Sequence, residues 1–310
     1  MRHWRFLVSL FLSAFFAFEF QSNSVGQDSS SAEKRKLAVT IDDGPAVRGN
    51  GLKQYSEISR KLKKAFVDAE VPAIMFINEH QIDIEGERSA RMSVLEHWLD
   101  AGLELGNHTY SHKRLRDTPV DEYFKDILQG EKYTRPLLES KNEKLIWYRY
   151  PYLSSERGEL ATKVEEFLAE HEYRIAPVTV DYHDYSFANN YRRFMQAGEK
   201  EQAKQVVAEM HRALEVAFDR AEANEKNLVG RPMHHVLLIH CNEINADTLP
   251  VTLKKIQDCG YEFVSIAHAM EDPVYKRTDL LPGTMGGSFF GGLQRLRNQE
   301  GTQGNGNGKQ

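Results

Sequence analysis

Apolar runs of strand length and amphipathic stretches of helix length take turns between residues 37 and 266. This alternation confines the chain to folds built around a parallel sheet or barrel. Strands are expected at 37–41, 71–77, 104–106, 145–150, 175–180, 236–240 and 262–266, and helices at 52–70, 90–101, 121–138, 156–170, 200–223 and 249–259. The first of those helices carries Tyr55, Ile58, Leu62, Ala65 and Phe66 at helical spacing, one face of an amphipathic element. Trp98 and Trp147 read as core. In such folds ligands gather where the strands end at their C-terminal side. Those ends carry Asp42 and Asp43, His108, Arg149, Asp181 and Asp184, and His240.

Thr40-Ile41-Asp42-Asp43-Gly44-Pro45 is the most telling of these ends. An ionised carboxylate beside a buried strand is costly unless something pairs with it, and two in succession call for a cation, a shared proton or both. A metal held by one, with the other free as a base, satisfies the pair; a turn or helix cap is the ordinary alternative use of Asp. His108 and His112 lie four apart, and if their segment opens a helical turn both imidazoles share one face. Two His and one carboxylate form a hydrolytic zinc arrangement with a position left for water. Taken alone, the His-x3-His spacing is weak and equally suits surface or capping histidines. Arg149 can hold a carboxylate through two parallel hydrogen bonds, and Asp181 or Asp184 can orient and charge a histidine. Either segment alone also reads as an ordinary strand end or acidic loop, and His240 alone as a core histidine.

Arg2 and Arg5 followed by the almost wholly apolar residues 6–18 and by Ser22, Ser24 and Gly26 match a secretory signal peptide. The apolar run is shorter than the roughly 20 residues a membrane span needs; an uncleaved anchor is the alternative. The expected plan is a signal peptide at 1–24, a polar linker at 25–36, one catalytic domain at 37–275, and a disordered Gly-, Asn- and Gln-rich tail at 276–310. The protein is then exported, periplasmic or extracellular, with no stable membrane span once the signal is cleaved. A net charge of −5 argues against a nucleic-acid partner. Cys241 and Cys259 could pair outside the cytosol or remain free thiols, and the sequence does not decide.

Taken together and in this order, the segments resemble the NodB-like polysaccharide deacetylases, carbohydrate esterase family four. Thr40 to Pro45 is similar to the family's first motif, Asn107-His108-Thr109-Tyr110-Ser111-His112 to its second, and Arg149-Tyr150-Pro151-Tyr152 to its third. Residues 181–185 resemble the fourth motif and Leu238-Ile239-His240 the fifth. The resemblance implies an α/β fold, a distorted (β/α) barrel in a single domain. It implies that Asp43, His108 and His112 bind a divalent metal, by family usually zinc and sometimes cobalt or nickel. Asp42 would be the general base, held by Arg149, and Tyr152 would offer its backbone N–H to the oxyanion. His240 would be the general acid, tuned by Asp184 with Asp181 nearby, and Leu238 and Tyr185 would line the acetyl pocket.

The expected activity is hydrolysis of N-acetyl groups on an acetylated glycan, by water activated at the metal. Peptidoglycan, a chitin-like oligomer and a secreted polysaccharide all remain open as substrates. An O-acetyl esterase or small amide or imide hydrolase on the same site, and a non-catalytic glycan-binding protein, are the alternatives. Tyr185 stands where many members carry Trp, and Cys241 where many carry Asp. The long stretch 186–234, with its amphipathic helix at 200–223, could cover the groove or form a partner surface. Oligomeric state is not legible.

Overall fold

The computed structural model describes residues 35–46 and 51–306. The expected signal peptide and most of the expected linker lie outside them.

The chain runs through β1 (Arg35–Gly44), α1 (Leu52–Asp68), β2 (Ala73–Ile77), α2 (Arg88–Leu99), β3 (Glu104–Asn107), α3 (Val120–Gln129), α4 (Thr134–Ser140), β4 (Trp147–Tyr148) and α5 (Gly158–Glu170). It continues through β5 (Arg174–Ile175), β6 (Val180–Asp181), α6 (Tyr185–Ala197), α7 (Lys200–Asn224), β7 (His235–His240), α8 (Glu243–Asp258), β8 (Tyr261–Val264), α9 (Ile266–Ala269) and α10 (Phe289–Gly306).

The strands form one parallel sheet in the order β5-β4-β3-β2-β1-β7-β6, curled as a half-barrel with helices around it. This is the distorted (β/α) barrel expected. β1 is its axis. One edge pairs with β7 along its length, while the other pairs with β8 near the start and with β2 near the end. A strand flanked on both sides and covered on both faces must be continuously apolar, and Leu37 to Ile41 are all buried. β2 is likewise buried at all five residues. Helix α1 turns Tyr55, Ile58, Leu62, Ala65 and Phe66 inward as its spacing predicts, and Phe66 meets Trp98 edge to face at 6.0 Å.

Several expectations need correction, among them the helix expected over 249–259, which begins at Glu243. The helix expected over 121–138 is two, α3 and α4. Gly130 lies against the 109–110 backbone so closely that a Cβ there would sit 2.6 Å from the Thr109 carbonyl carbon. The strand expected over 175–180 is two short pieces, β5 and β6, because residues 176–179 leave the ladder and give carbonyls to Arg149. The tail expected to be disordered from 276 is ordered through the described residues. Its few apolar side chains are concentrated: Phe289, Phe290, Leu293 and Leu296 are buried, and Ser288 bridges to Val178 in the gap between β5 and β6. Its glycines fit close contacts rather than loose chain. The two cysteines are free, Cys241 buried and Cys259 exposed.

Candidate active site

Successive residues of a regular strand point to opposite faces, so adjacent Asp42 and Asp43 should not share a site. The register of β1 against β2 shifts between Ile41 and Gly44, and Asp43 has φ 60°. Such a bulge re-aims a side chain, and both carboxylates line one cleft of about 1180 Å³.

Asp42 is buried and faces Arg149, whose Nη1 lies 3.2 and 3.4 Å from its two oxygens. The remaining guanidinium donors go to Thr40 Oγ1 (3.0 Å), Ala176 O (2.9 Å) and Pro177 O (3.3 Å). Every bond fixes the fork, so Asp42 is held by a cation that cannot swing away. Across the ladder, register places Asp42 opposite His240.

His240 Nδ1 is 2.7 Å from Asp184 Oδ1. Asp184 is fully buried. Its other oxygen accepts the His240 backbone N–H at 2.9 Å, Asn242 Nδ2 at 2.9 Å and Asn245 Nδ2. Burial works against a charged imidazole at His240. The Asp184 carboxylate, helped by Asp43 and Asp42, outweighs it and pushes the ring up to about 10. A raised histidine pKa stabilises the fold fully below the unfolded value and loses that contribution as pH climbs through the folded one. In the metal-free protein the urea midpoint should therefore fall between about pH 6.5 and 10 more steeply than in His240→Gln. Parallel profiles would refute the coupling.

The helical turn that would put His108 and His112 on one face does not form. Both residues lie on an irregular loop with Thr109 at φ 66° and His112 at φ 56°. Asp126 of α3 holds this loop through Ser111 Oγ (2.6 Å) and Ser111 N (3.2 Å), and Asn107 Oδ1 accepts the Thr109 N–H at 2.7 Å. The loop delivers His112 Nε2 to 3.0 Å and His108 Nε2 to 3.5 Å from Asp43 Oδ1. His108 Nδ1 sits 2.8 Å from the Arg149 carbonyl. That oxygen can only accept, so the ring proton belongs on Nδ1 and the Nε2 lone pair faces Asp43.

Asp43 Oδ1 is buried and without a hydrogen bond. Ligand atoms of Asp43, His108 and His112 lie within 4.8 Å of one another, close enough to hold one ion together. A divalent cation satisfies that arrangement, and the donor set is the one found in hydrolytic zinc sites.

Tyr150 to Glu156 form the neighbouring wall. Tyr152 has φ 60° and its ring is exposed, 4.4 Å from the His112 ring and beneath the Arg114 guanidinium at 4.4 Å. Tyr185 is half exposed, edge-on to His240 at 5.3 Å, and Leu238 lines the cleft beneath. Asp181 lines the same cleft, and its carboxylate engages His183 through Nδ1 (3.0 Å) and the backbone N–H (2.8 Å). Of the ten non-glycine residues with positive φ among those described, Asp43, Thr109, His112, Tyr152, Leu153 and His183 lie at this site. Each costs about 1 kcal/mol or more, a concentration typical of functional sites.

The residues the sequence did not single out are supports. Thr40 ties Arg149 to the Leu237 carbonyl. Asn242 and Asn245 hold Asp184, and Asn242 also caps α8. Its signal was present: an Asn directly before an amphipathic stretch is an N-cap pattern.

Residues 29–176 match the family model described as polysaccharide deacetylase. No curated protein matches the chain. Among solved structures, a mutant of the peptidoglycan deacetylase PdaC from Bacillus subtilis superposes with TM-score 0.50 at 17% identity, over 87% of this chain and 96% of that one. A CE4 family pseudoenzyme from Bacillus anthracis superposes with TM-score 0.50 at 16% identity, over 77% and 66%. A mutant of that pseudoenzyme reaches 0.52 at 16% identity, over 77% and 68%. At these identities the likeness is one of fold.

Proposed function

We propose, from the match of residues 29–176 to the polysaccharide deacetylase family model, that this chain is an exported, metal-dependent hydrolase that removes N-acetyl groups from a glycan. One observation carries the reading. A carboxylate fixed by a buried arginine stands across one ladder step from a histidine charged by a buried aspartate, beside a cluster of acceptors that needs a cation.

A divalent ion held by Asp43, His108 and His112, zinc by first choice and cobalt or nickel on the same donors, would acidify a water molecule and polarise the acetyl carbonyl. Asp42 takes the proton of the attacking water, its orientation set by Arg149. The oxygen that gathers charge as the carbonyl carbon becomes tetrahedral accepts the Tyr152 N–H. His240 then gives its proton to the amide nitrogen as the C–N bond breaks, leaving acetate and a free amine. That proton is required, since an amide anion is too basic to depart. Asp184 keeps the ring oriented and charged until the transfer. Leu238 and Tyr185 bound the space for the acetyl methyl.

Arg2, Arg5 and the apolar residues 6–18 support export as a cleaved signal segment of about 24 residues, with residues 37–275 supplying the chemistry. Among the described residues no helix is long and apolar enough to cross a membrane. Peptidoglycan, chitin-like oligomers and secreted polysaccharides all offer the N-acetyl group this site suits.

The test is acetate release from N-acetylglucosamine oligomers and from peptidoglycan, by chelated protein and after return of zinc or cobalt. Chelation should abolish release and metal restore it, and the preferred polymer names the substrate class. Release only from O-acetylated glycans would convert the reading to an esterase. Binding of glycan by metal-loaded protein, with no release from either, would leave a non-catalytic binder.

A further inference from the structure

The ordered C-terminal segment runs beneath the loop that carries Tyr152. That loop is improbable by itself, since Tyr152, Leu153 and Glu156 have φ of 60°, 50° and 57°. Non-glycine residues stay in this region only where their surroundings over-determine them. The loop's internal bonds are local: Leu153 N to Tyr150 O at 3.1 Å, Ser154 N to Pro151 O at 3.1 Å, and Ser154 Oγ to Glu156 at 2.7 Å. The exposed Tyr152 ring is a weak anchor.

The inner side is gripped from residues 283–287. Ser155 Oγ donates to Gly283 O at 2.6 Å, and the Gly283 N–H donates to Glu165 Oε1 of α5 at 2.8 Å. Gly283 has φ 82°, and a Cβ there would sit 2.1 Å from the Glu156 carbonyl oxygen. A Cβ on Gly286 would sit 2.1 Å from the Tyr150 ring, and one on Gly287 2.8 Å from Ser155 Oγ. Three glycines thus permit backbone to lie directly against the loop. Beyond them Phe289 is fully buried and packs on Tyr275 at 4.9 Å, which anchors the segment at its far end.

We propose that residues 283–289 form a positioning strap that holds the 150–156 loop, and with it the Tyr152 backbone N–H, at the reacting carbonyl. Gly283, Gly286, Ser155 and Glu165 are positioning residues acting through Tyr152. This rests on the deacetylase reading for its effect on rate, but not for its effect on the loop.

Glu165→Ala, Ser155→Ala and Gly286→Ala are compared with the full-length, metal-loaded wild type. Three readouts are taken: kcat and KM on an N-acetylglucosamine oligomer, metal affinity, and amide hydrogen exchange of peptides covering 149–156 and 105–112. The expected result is faster exchange in 149–156 and unchanged exchange in 105–112. With it, kcat should fall by about 10- to 100-fold while KM and metal affinity stay within about twofold. Glu165→Gln should restore both readouts, because its amide oxygen still accepts the Gly283 N–H. Should Gly286→Ala fail to fold, Glu165→Ala and Ser155→Ala carry the test. Unchanged exchange in 149–156, or loosening spread equally over 105–112 with loss of metal, overturns the strap. A wild type that releases no acetate, while 149–156 still responds to the variants, overturns the deacetylase reading and leaves the strap standing as the loop's anchor.

Discussion

His240→Ala should lower turnover on an N-acetylated glycan by about 10²- to 10⁴-fold while leaving bound metal at wild-type stoichiometry. On the proposed mechanism the imidazole is the proton donor for an amine that cannot leave without one. The fold should survive the change. Asp184, which would otherwise be a buried carboxylate without its partner, keeps the residue-240 backbone N–H and the amides of Asn242 and Asn245. The three metal-binding candidates come from β1 and the 108–112 loop and do not touch that hydrogen-bond set. Asp42→Asn should act alike, since it removes the base and keeps the shape. Combining the two should cost far less than the product of the single losses, because the two groups serve one proton relay. Steady-state rates and metal analysis of the three variants check this. Full activity in either single variant would remove that residue from the chemistry.

The second large effect is on the fold itself. Arg149→Ala should destabilise the protein by about 3–5 kcal/mol, the range for removing one partner of a buried ion pair, and should abolish measurable turnover. The guanidinium is fully buried, lies 4.8 Å from the centre of the Phe76 ring and serves Asp42, Thr40 and two backbone carbonyls at once. Its loss strands a buried carboxylate and three further acceptors. Arg149→Lys keeps the charge but not the planar fork, so it should recover part of the stability and little of the activity. Urea unfolding with parallel rate measurements decides it; a variant as stable as wild type would show that water reaches the pair.

What the sequence revealed follows from how local each feature is. Asp42 and Asp43, His108 and His112, Arg149 and His240 stand at or near the ends of apolar runs, and the structure brings all but Arg149 to one cleft, with Arg149 buried behind Asp42. Helices α1 and α7 were legible within two residues because their apolar residues keep a 3.6-residue period. The break at Gly130 was hidden, since glycine within an amphipathic stretch signals equally a weak helix and a close approach. The C-terminal segment misled for the same reason. Its glycines read as chain that cannot bury enough to order itself, while four apolar side chains and contact with 150–156 suffice once a neighbour is supplied. The contact of Asp181 with His183 was hidden, because His183 adopts φ 54°, which no spacing rule anticipates.

The pairing of Asp42 with His240 across adjacent strands has an evolutionary corollary. The backbone separation of these two residues is a lattice constant of the sheet, about 4.8 Å between neighbouring strands. It is inherited with the backbone rather than tuned by side chains. Tyr185, Ala188, Asn189 and Arg192, which border the cleft from α6, lie outside that lattice. They can change without altering the spacing of the two strands. A lineage built this way would diversify in what it holds long before it diversified in what it does.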